Sequence, residues 1–212
     1  ILMIPVLLFS ITLHEFAHGY AAKLGGDLTA ERAGRLTLNP IAHIDPIGTI
    51  LVPLICFVSG GFFIGWAKPV PVNPGNLKKS IWDVYVSFAG PLSTFILVII
   101  FTILFKVLVM SGLLFDGSMS AQASNTLQLL MMNFIALNVL LGLFNLMPIP
   151  PLDGSHIFYH YFVKPHTRDH PMFHLFQFLE RFGFIVLIIV IFALPSQINP
   201  FYLIFNFALN II

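Results

Sequence analysis

The sequence predicts an all-α polytopic membrane protein of about four to six transmembrane helices, with a short β-hairpin and a re-entrant segment after the first helix. Three observations carry that expectation. Hydrophobic residues make up 58% of the 212-residue chain and charged residues only 9%, against about 25% charged in soluble proteins. The mean hydropathy is +0.93. Four apolar runs, at roughly 1–23, 81–110, 126–146 and 172–194, are long enough to cross about 30 Å of hydrocarbon at about 1.5 Å per residue. A net charge of +1 gives no basis for nucleic-acid binding. The single cysteine, Cys56, excludes an intramolecular disulfide and a thiolate metal cluster. With no repeat or low-complexity tract, residues 1–212 read as one domain. The first residue is Ile1 rather than Met, so a few residues are expected upstream. The first run leads straight into ordered-looking sequence and does not read as a cleaved signal peptide.

The first helix carries His14-Glu15-Phe16-Ala17-His18 after a run, Ile1 to Leu13, without a charge. Residues four apart share a helix face, with β-carbons about 5–6 Å apart. Two imidazoles so placed can bind one metal, and the Glu between them can reach a water on it. Ionisable groups at membrane depth are costly, which points to function. The competing reading is a pair of buried, hydrogen-bonded histidines. Further on, Arg35-Leu36-Thr37-Leu38 alternates polar and apolar residues between Gly34 and Asn39-Pro40, which predicts a short strand or hairpin. Segment 47–64 is apolar but interrupted by Gly48, Pro53, Gly60 and Gly61. Lys68-Pro69-Val70-Pro71-Val72-Asn73-Pro74 is expected to be extended, because proline and pre-proline positions avoid helix. The tail 198–212 is too short to span as a straight helix.

Catalytic zinc normally has three protein ligands and one open position. Asp153 is the candidate third ligand, in Asn145-Leu146-Met147-Pro148-Ile149-Pro150-Pro151-Leu152-Asp153-Gly154. The prolines break the helix over 126–146, and Gly154 permits a close turn. Asp153 competes for a second role, as the cap of a following helix over 154–163. If segment 47–64 crossed the membrane, a carboxylate just beyond residue 146 would approach the histidines from the wrong side, so a re-entrant segment is favoured. Lys23, Arg32, Arg35, Lys68, Lys78, Lys79, Lys164, Arg168 and Arg181 then share a face, and the loop 111–125 opposite holds only Asp116. The positive-inside rule makes the basic face cytoplasmic.

On these residues the chain resembles the site-2 protease family of intramembrane zinc metalloproteases. The HExxH helix, the Asn-x-x-Pro-x-Pro-Pro-Leu-Asp-Gly segment from Asn145 to Gly154, and Ala89-Gly90-Pro91 opening a middle helix stand in the family's order, over about residues 1–165. The likeness is greatest to small members without a PDZ or other appended domain. The resemblance implies one Zn²⁺ per chain held by His14, His18 and Asp153, with Glu15 as general base. Asn145 matches the asparagine that binds the substrate carbonyl or its oxyanion. It also implies an endopeptidase that cleaves single-span membrane proteins within or near the bilayer, at a site wetted from the cytoplasmic side. A transmembrane substrate hides its peptide bonds in helical hydrogen bonds and must become extended. Arg35, Leu36, Thr37 and Leu38 are the candidate strand for receiving it by β-addition.

Other polar residues are less specific. His43 and Asp45 suit a gate or a support for the metal ligands, but more simply stabilise a turn. His156, His160, His166, His170 and His174 suit orientation of Asp153, proton transfer or a second metal; the simpler account is interfacial histidines. Asn133 and Asn138 read as interhelical contacts. Two other functions compete. A His-box di-iron membrane oxygenase needs about eight histidines, often adjacent, and no His-His pair occurs here. A metal transporter leaves the Glu after His14 unexplained. The oligomeric state has no signature in the sequence.

Overall fold

The computed structural model describes residues 3–52, 54–55, 66–114, 120–192 and 203. The chain divides into two compact units, one of residues 8–90 and one of residues 1–7 with 91–212. Among the described residues, the α-helices include, in order, α1 (Met3–Gly25), α2 (Thr29–Arg32), α3 (Ile81–Met110), α4 (Ala121–Asn145), α5 (Asp153–Phe158) and α6 (Pro171–Phe192).

In the unit of residues 8–90, α1 ends where Gly26 adopts φ +105°. Gly26 N–H then donates to Lys23 O at 3.0 Å and Asp27 N–H to Ala22 O at 2.9 Å, the paired bonds that close a helix through a left-handed glycine. Asp27 is fully buried and gathers the chain around its carboxylate. It accepts from Thr29 N at 3.0 Å, from the Thr29 hydroxyl, from Asn73 N at 2.6 Å and from Asn76 Nδ2 at 2.9 Å. Burial alone pushes this carboxyl's pKa up, but the four donors outweigh it and hold the group below the usual aspartate range. A depressed folded pKa stabilises the fold fully above the ordinary value of about 3.9 and loses that contribution as pH falls through the folded value. Asp27→Asn is therefore expected to lose stability at neutral pH, on the order of 2 kcal/mol for charge-assisted bonds. It should also flatten the acid limb of the stability curve below pH about 4. Chemical denaturation in detergent across pH checks both.

The predicted β-hairpin is absent: the described residues contain no strand. Leu36, Thr37 and Leu38 form bends, and Arg35 before them has no regular structure. Gly34 turns with φ +67°, Arg35 N–H donates back to Ala30 O at 2.9 Å, and Arg35 Nη2 donates to Lys68 O at 2.8 Å. Alternation of residue types is satisfied here by a turn pinned at both ends, with no partner strand to pair. Asn39 and Asp45 then cap a 3₁₀ turn (Pro40–His43) and a π turn (Pro46–Leu51), each accepting the N–H two residues on. Residues 66–73 form no helix or strand, Asn73 has extended backbone, and Pro74–Asn76 makes a further 3₁₀ turn, so the stretch expected to be extended ends before Pro74.

The second unit is helical. Ile135 and Val139 of α4 pack with Val98, Phe101 and Leu143, and the Phe101 and Phe134 rings stack at 3.7 Å. Gly142 lets α3 approach, since a β-carbon there would come within 2.6 Å of Thr94 Oγ1. Buried Asn138 donates to Phe134 O of its own helix, whereas Asn133 is exposed.

Among the described residues, three helices are long and apolar enough to cross a membrane: Ile81–Met110, Ala121–Asn145 and Pro171–Val190. That corrects the expectation of four to six. Helix α1 has the length, but Ser10, Thr12, His14, Glu15 and His18 dilute its apolar character. The spanning helices expose Ile96, Ile99, Ile103, Phe178, Ile185 and Ile189, the lipid-facing pattern of a membrane bundle. Most of segment 47–64 and the tail 198–212, apart from Leu203, lie outside the described residues, as does Asp116. Pro91 lies inside α3 rather than at its opening.

Candidate metal centre

Helix α1 places His14 and His18 one turn apart, 5% and 8% exposed. Their Nε2 atoms face each other at 3.1 Å, with ring centroids 4.7 Å apart and planes at 82°. The other nitrogen of His18, Nδ1, lies 2.7 Å from Val86 O on α3. A carbonyl only accepts, so Nδ1 carries the proton and Nε2 presents its lone pair, the tautomer that a metal ligand requires. A tetrahedral zinc with Zn–N of about 2.0–2.1 Å sets two nitrogens a little over 3 Å apart. The observed pair fits that span, and its donors are of the type zinc takes.

Gly90 of α3 makes the room. A β-carbon at residue 90 would stand well inside van der Waals contact with His18 Nε2 and with Cε1 and Nε2 of His14. The glycine is thus part of the site's wall. Sequence reasoning noted Ala89-Gly90-Pro91 as a motif but assigned Gly90 no role, because a helix crossing has no local signature.

Glu15 is half-buried. Its Oε2 accepts from Val70 N–H at 2.8 Å, which brings the proline-rich segment around Val70 against α1. The strand candidates do not reach this position as a strand; Arg35 contributes instead by tying Lys68 O, two residues before Val70.

Asn145 and Asp153 belong to the other unit. Asn145 is the last residue of α4, and its Nδ2 donates to Leu141 O at 2.9 Å. Asp153 is the first residue of α5 and half-buried. Leu152 occupies the cap position of α5 and makes no side-chain capping bond, and Asp153 is the acidic residue of its first turn. The helix expected over 154–163 is α5 followed by a π turn, Tyr159–Val163. Gly154 sits so close to Leu146 O that any β-carbon would collide, and Gly183 does the same against Pro150 O. The proline-rich loop is thereby wedged between two glycines.

Four of the remaining polar candidates make local contacts. His43 is 2% exposed, with Nε2 2.9 Å from Thr37 O, and Asp45 caps its π turn. His166 and His170 stack face to face at 3.8 Å with planes 8° apart, so their lone pairs run side by side and do not converge. His170 Nδ1 accepts from Met172 N at 3.2 Å at the start of α6.

Residues 110–190 match Peptidase family M50. The chain is 42% identical over 194 residues to "Putative zinc metalloprotease YwhC" of Bacillus subtilis, covering 91% of this chain and 80% of that protein. It is 28% identical over 193 residues to "Putative zinc metalloprotease Rip2" of Mycolicibacterium smegmatis, covering 90% of this chain and 66% of that protein. Rip2 of Mycobacterium tuberculosis H37Rv is 29% identical over 168 residues, covering 79% of this chain and 58% of that protein. No solved structure matches. These likenesses lend nothing to a di-iron oxygenase or a metal transporter. With a paired-histidine HExxH helix and a relative of this identity and coverage, the chain belongs to Peptidase family M50.

Proposed function

We propose that this protein is an intramembrane zinc endopeptidase that hydrolyses peptide bonds within or near the transmembrane segment of single-span membrane proteins. The observation that carries the reading is the His14–His18 pair, with Nε2 atoms 3.1 Å apart and the His18 tautomer set by Val86 O. Both units would serve one protease domain, with Asp153 as the third ligand. In its favour are the need for a third donor and a loop wedged by Gly154 and Gly183.

Zinc held there supplies Lewis acidity and a nucleophile at neutral pH. Glu15 takes the proton as water attacks the scissile carbonyl and passes it to the leaving amine. Asn145 has one amide hydrogen committed to Leu141 O and a second for the developing oxyanion; such a donor is worth on the order of 100–1,000-fold in rate. The buried histidines sit on a helix too polar to meet lipid all round, which suits a water-reached site. The basic residues listed for one face, with Lys106 near the far end of α3 outside that set, favour a cell membrane location with a cytoplasmic opening. Residues 35–38 remain near the proline-rich segment around Val70 without forming a strand, so a substrate strand would have to pair with another backbone edge.

The test is the zinc-to-protein ratio of purified wild type and Asp153→Ala, with cleavage of a single-span reporter in detergent. Wild type is expected to hold one zinc and cleave, and Asp153→Ala to lose about 10- to 100-fold or more in zinc affinity. Undiminished zinc in Asp153→Ala would strike it from the ligands.

A further inference from the structure

The Glu15 carboxylate is held from outside its own helix, and the group that holds it is a backbone amide. Val70 N–H donates to Glu15 Oε2 at 2.8 Å, from a residue 55 positions away. Val70 lies between Pro69 and Pro71, which have no N–H. It is therefore the only backbone donor that this stretch offers. The two rings fix φ on either side, and a residue before proline is confined to extended backbone, so the direction of this one N–H is restricted by the sequence itself. The stretch is anchored at both ends. Lys68 N–H donates to His43 O at 3.0 Å, Arg35 Nη2 donates to Lys68 O at 2.8 Å, and Asn73 N–H donates to the buried Asp27 carboxylate at 2.6 Å. The Val70 side chain is itself buried, 7% exposed.

We propose that Pro69-Val70-Pro71 is a positioning element for the general base: its single N–H fixes one carboxylate oxygen of Glu15 and leaves the other to take the proton. The proposal rests on Glu15 acting as the base. Val70 touches neither substrate nor metal and acts through Glu15. The His43 carbonyl, the Arg35 guanidinium and the Asp27 carboxylate are the anchors of this segment.

Two measurements test it. The first needs no metal: in chelator-treated protein, the Val70 amide hydrogen is expected to exchange at least about 10-fold faster in Glu15→Ala than in wild type. Glu15→Gln, which keeps a carbonyl acceptor, should stay close to wild type. The second replaces the Val70 amide by an ester, using the hydroxy-acid analogue of valine, which removes the N–H and keeps the side chain. On a single-span reporter its kcat should fall about 10- to 100-fold, with KM within about two-fold and zinc still one per chain. Val70→Ala retains the N–H and should rescue most of that loss. An ester variant with wild-type kcat, a Val70→Ala as impaired as the ester, or unchanged exchange in Glu15→Ala overturns the proposal. A wild type that cleaves nothing, or a Glu15→Gln as active as wild type, brings down the protease reading instead, and the exchange measurement separates the two failures.

Discussion

Gly90→Ala should strip the metal from the purified protein while leaving its helices in place. The added methyl has one location, against His18 Nε2 and the His14 ring, and neither neighbour can retreat. His18 is held through Nδ1 by Val86 O at 2.7 Å, and both rings are buried on one helix face. Accommodating the methyl means rotating an imidazole off its rotamer or moving α3 away from α1. The packing cost of such a change is about 1–3 kcal/mol, which leaves most of the fold intact. Zinc affinity pays far more, because the methyl stands where the lone pairs converge. A loss exceeding the roughly 10- to 100-fold typical of removing a group that merely orients a ligand is expected. Zinc-to-protein ratio after dialysis, with far-ultraviolet circular dichroism as the folding control, reads it directly. Stoichiometric zinc in Gly90→Ala would mean that the rings bind metal elsewhere than at the face they share.

Glu15→Gln separates proton transfer from everything else that Glu15 does. Glutamine is nearly the same shape and keeps an oxygen for the Val70 N–H that now meets Oε2 at 2.8 Å. It cannot accept a proton from water. Zinc content and thermal stability are expected to match wild type, while cleavage of a single-span reporter falls by about 10²- to 10⁴-fold, the range that a positioned base contributes. In cells the variant should act as a trap, so that a single-span fragment accumulates in the membrane proteome relative to wild type. That comparison also identifies the substrate. Retained activity would remove Glu15 from the base role.

Much of the site was legible because its chemistry is written within short stretches. Five consecutive residues, His14 to His18, place two imidazoles one turn apart with a carboxylate beside the first, and the i, i+4 relation carries that information without any tertiary contact. Asn145 to Gly154 announces a helix end and a wedged turn through its prolines and glycine, and the helix boundaries at 81–110 agree with the fold. The misreading at 35–38 has an equally local cause. Alternation says which residues prefer a pleat, but a strand exists only when another edge supplies its hydrogen bonds, and here Ala30 O and Lys68 O take Arg35 into a turn. The first helix was overcounted as a span because length was weighed above the polar groups it carries. Asp27 was passed over: its Asp-Leu-Thr spacing signals only a local cap, while the Asn73 and Asn76 bonds that bury it come from 46 and 49 residues away.

By itself the sequence determined that the chain belongs in a membrane and which helix carries the paired histidines and the glutamate between them. Only the tertiary structure decided how those groups are held. The His18 tautomer depends on a carbonyl 68 residues away, the room for both rings on a glycine of another helix, and the Glu15 carboxylate on a backbone N–H between two prolines. The reason is physical: every residue but proline carries the same backbone donor and acceptor, so no side-chain pattern records which one will arrive at a site until the chain has folded.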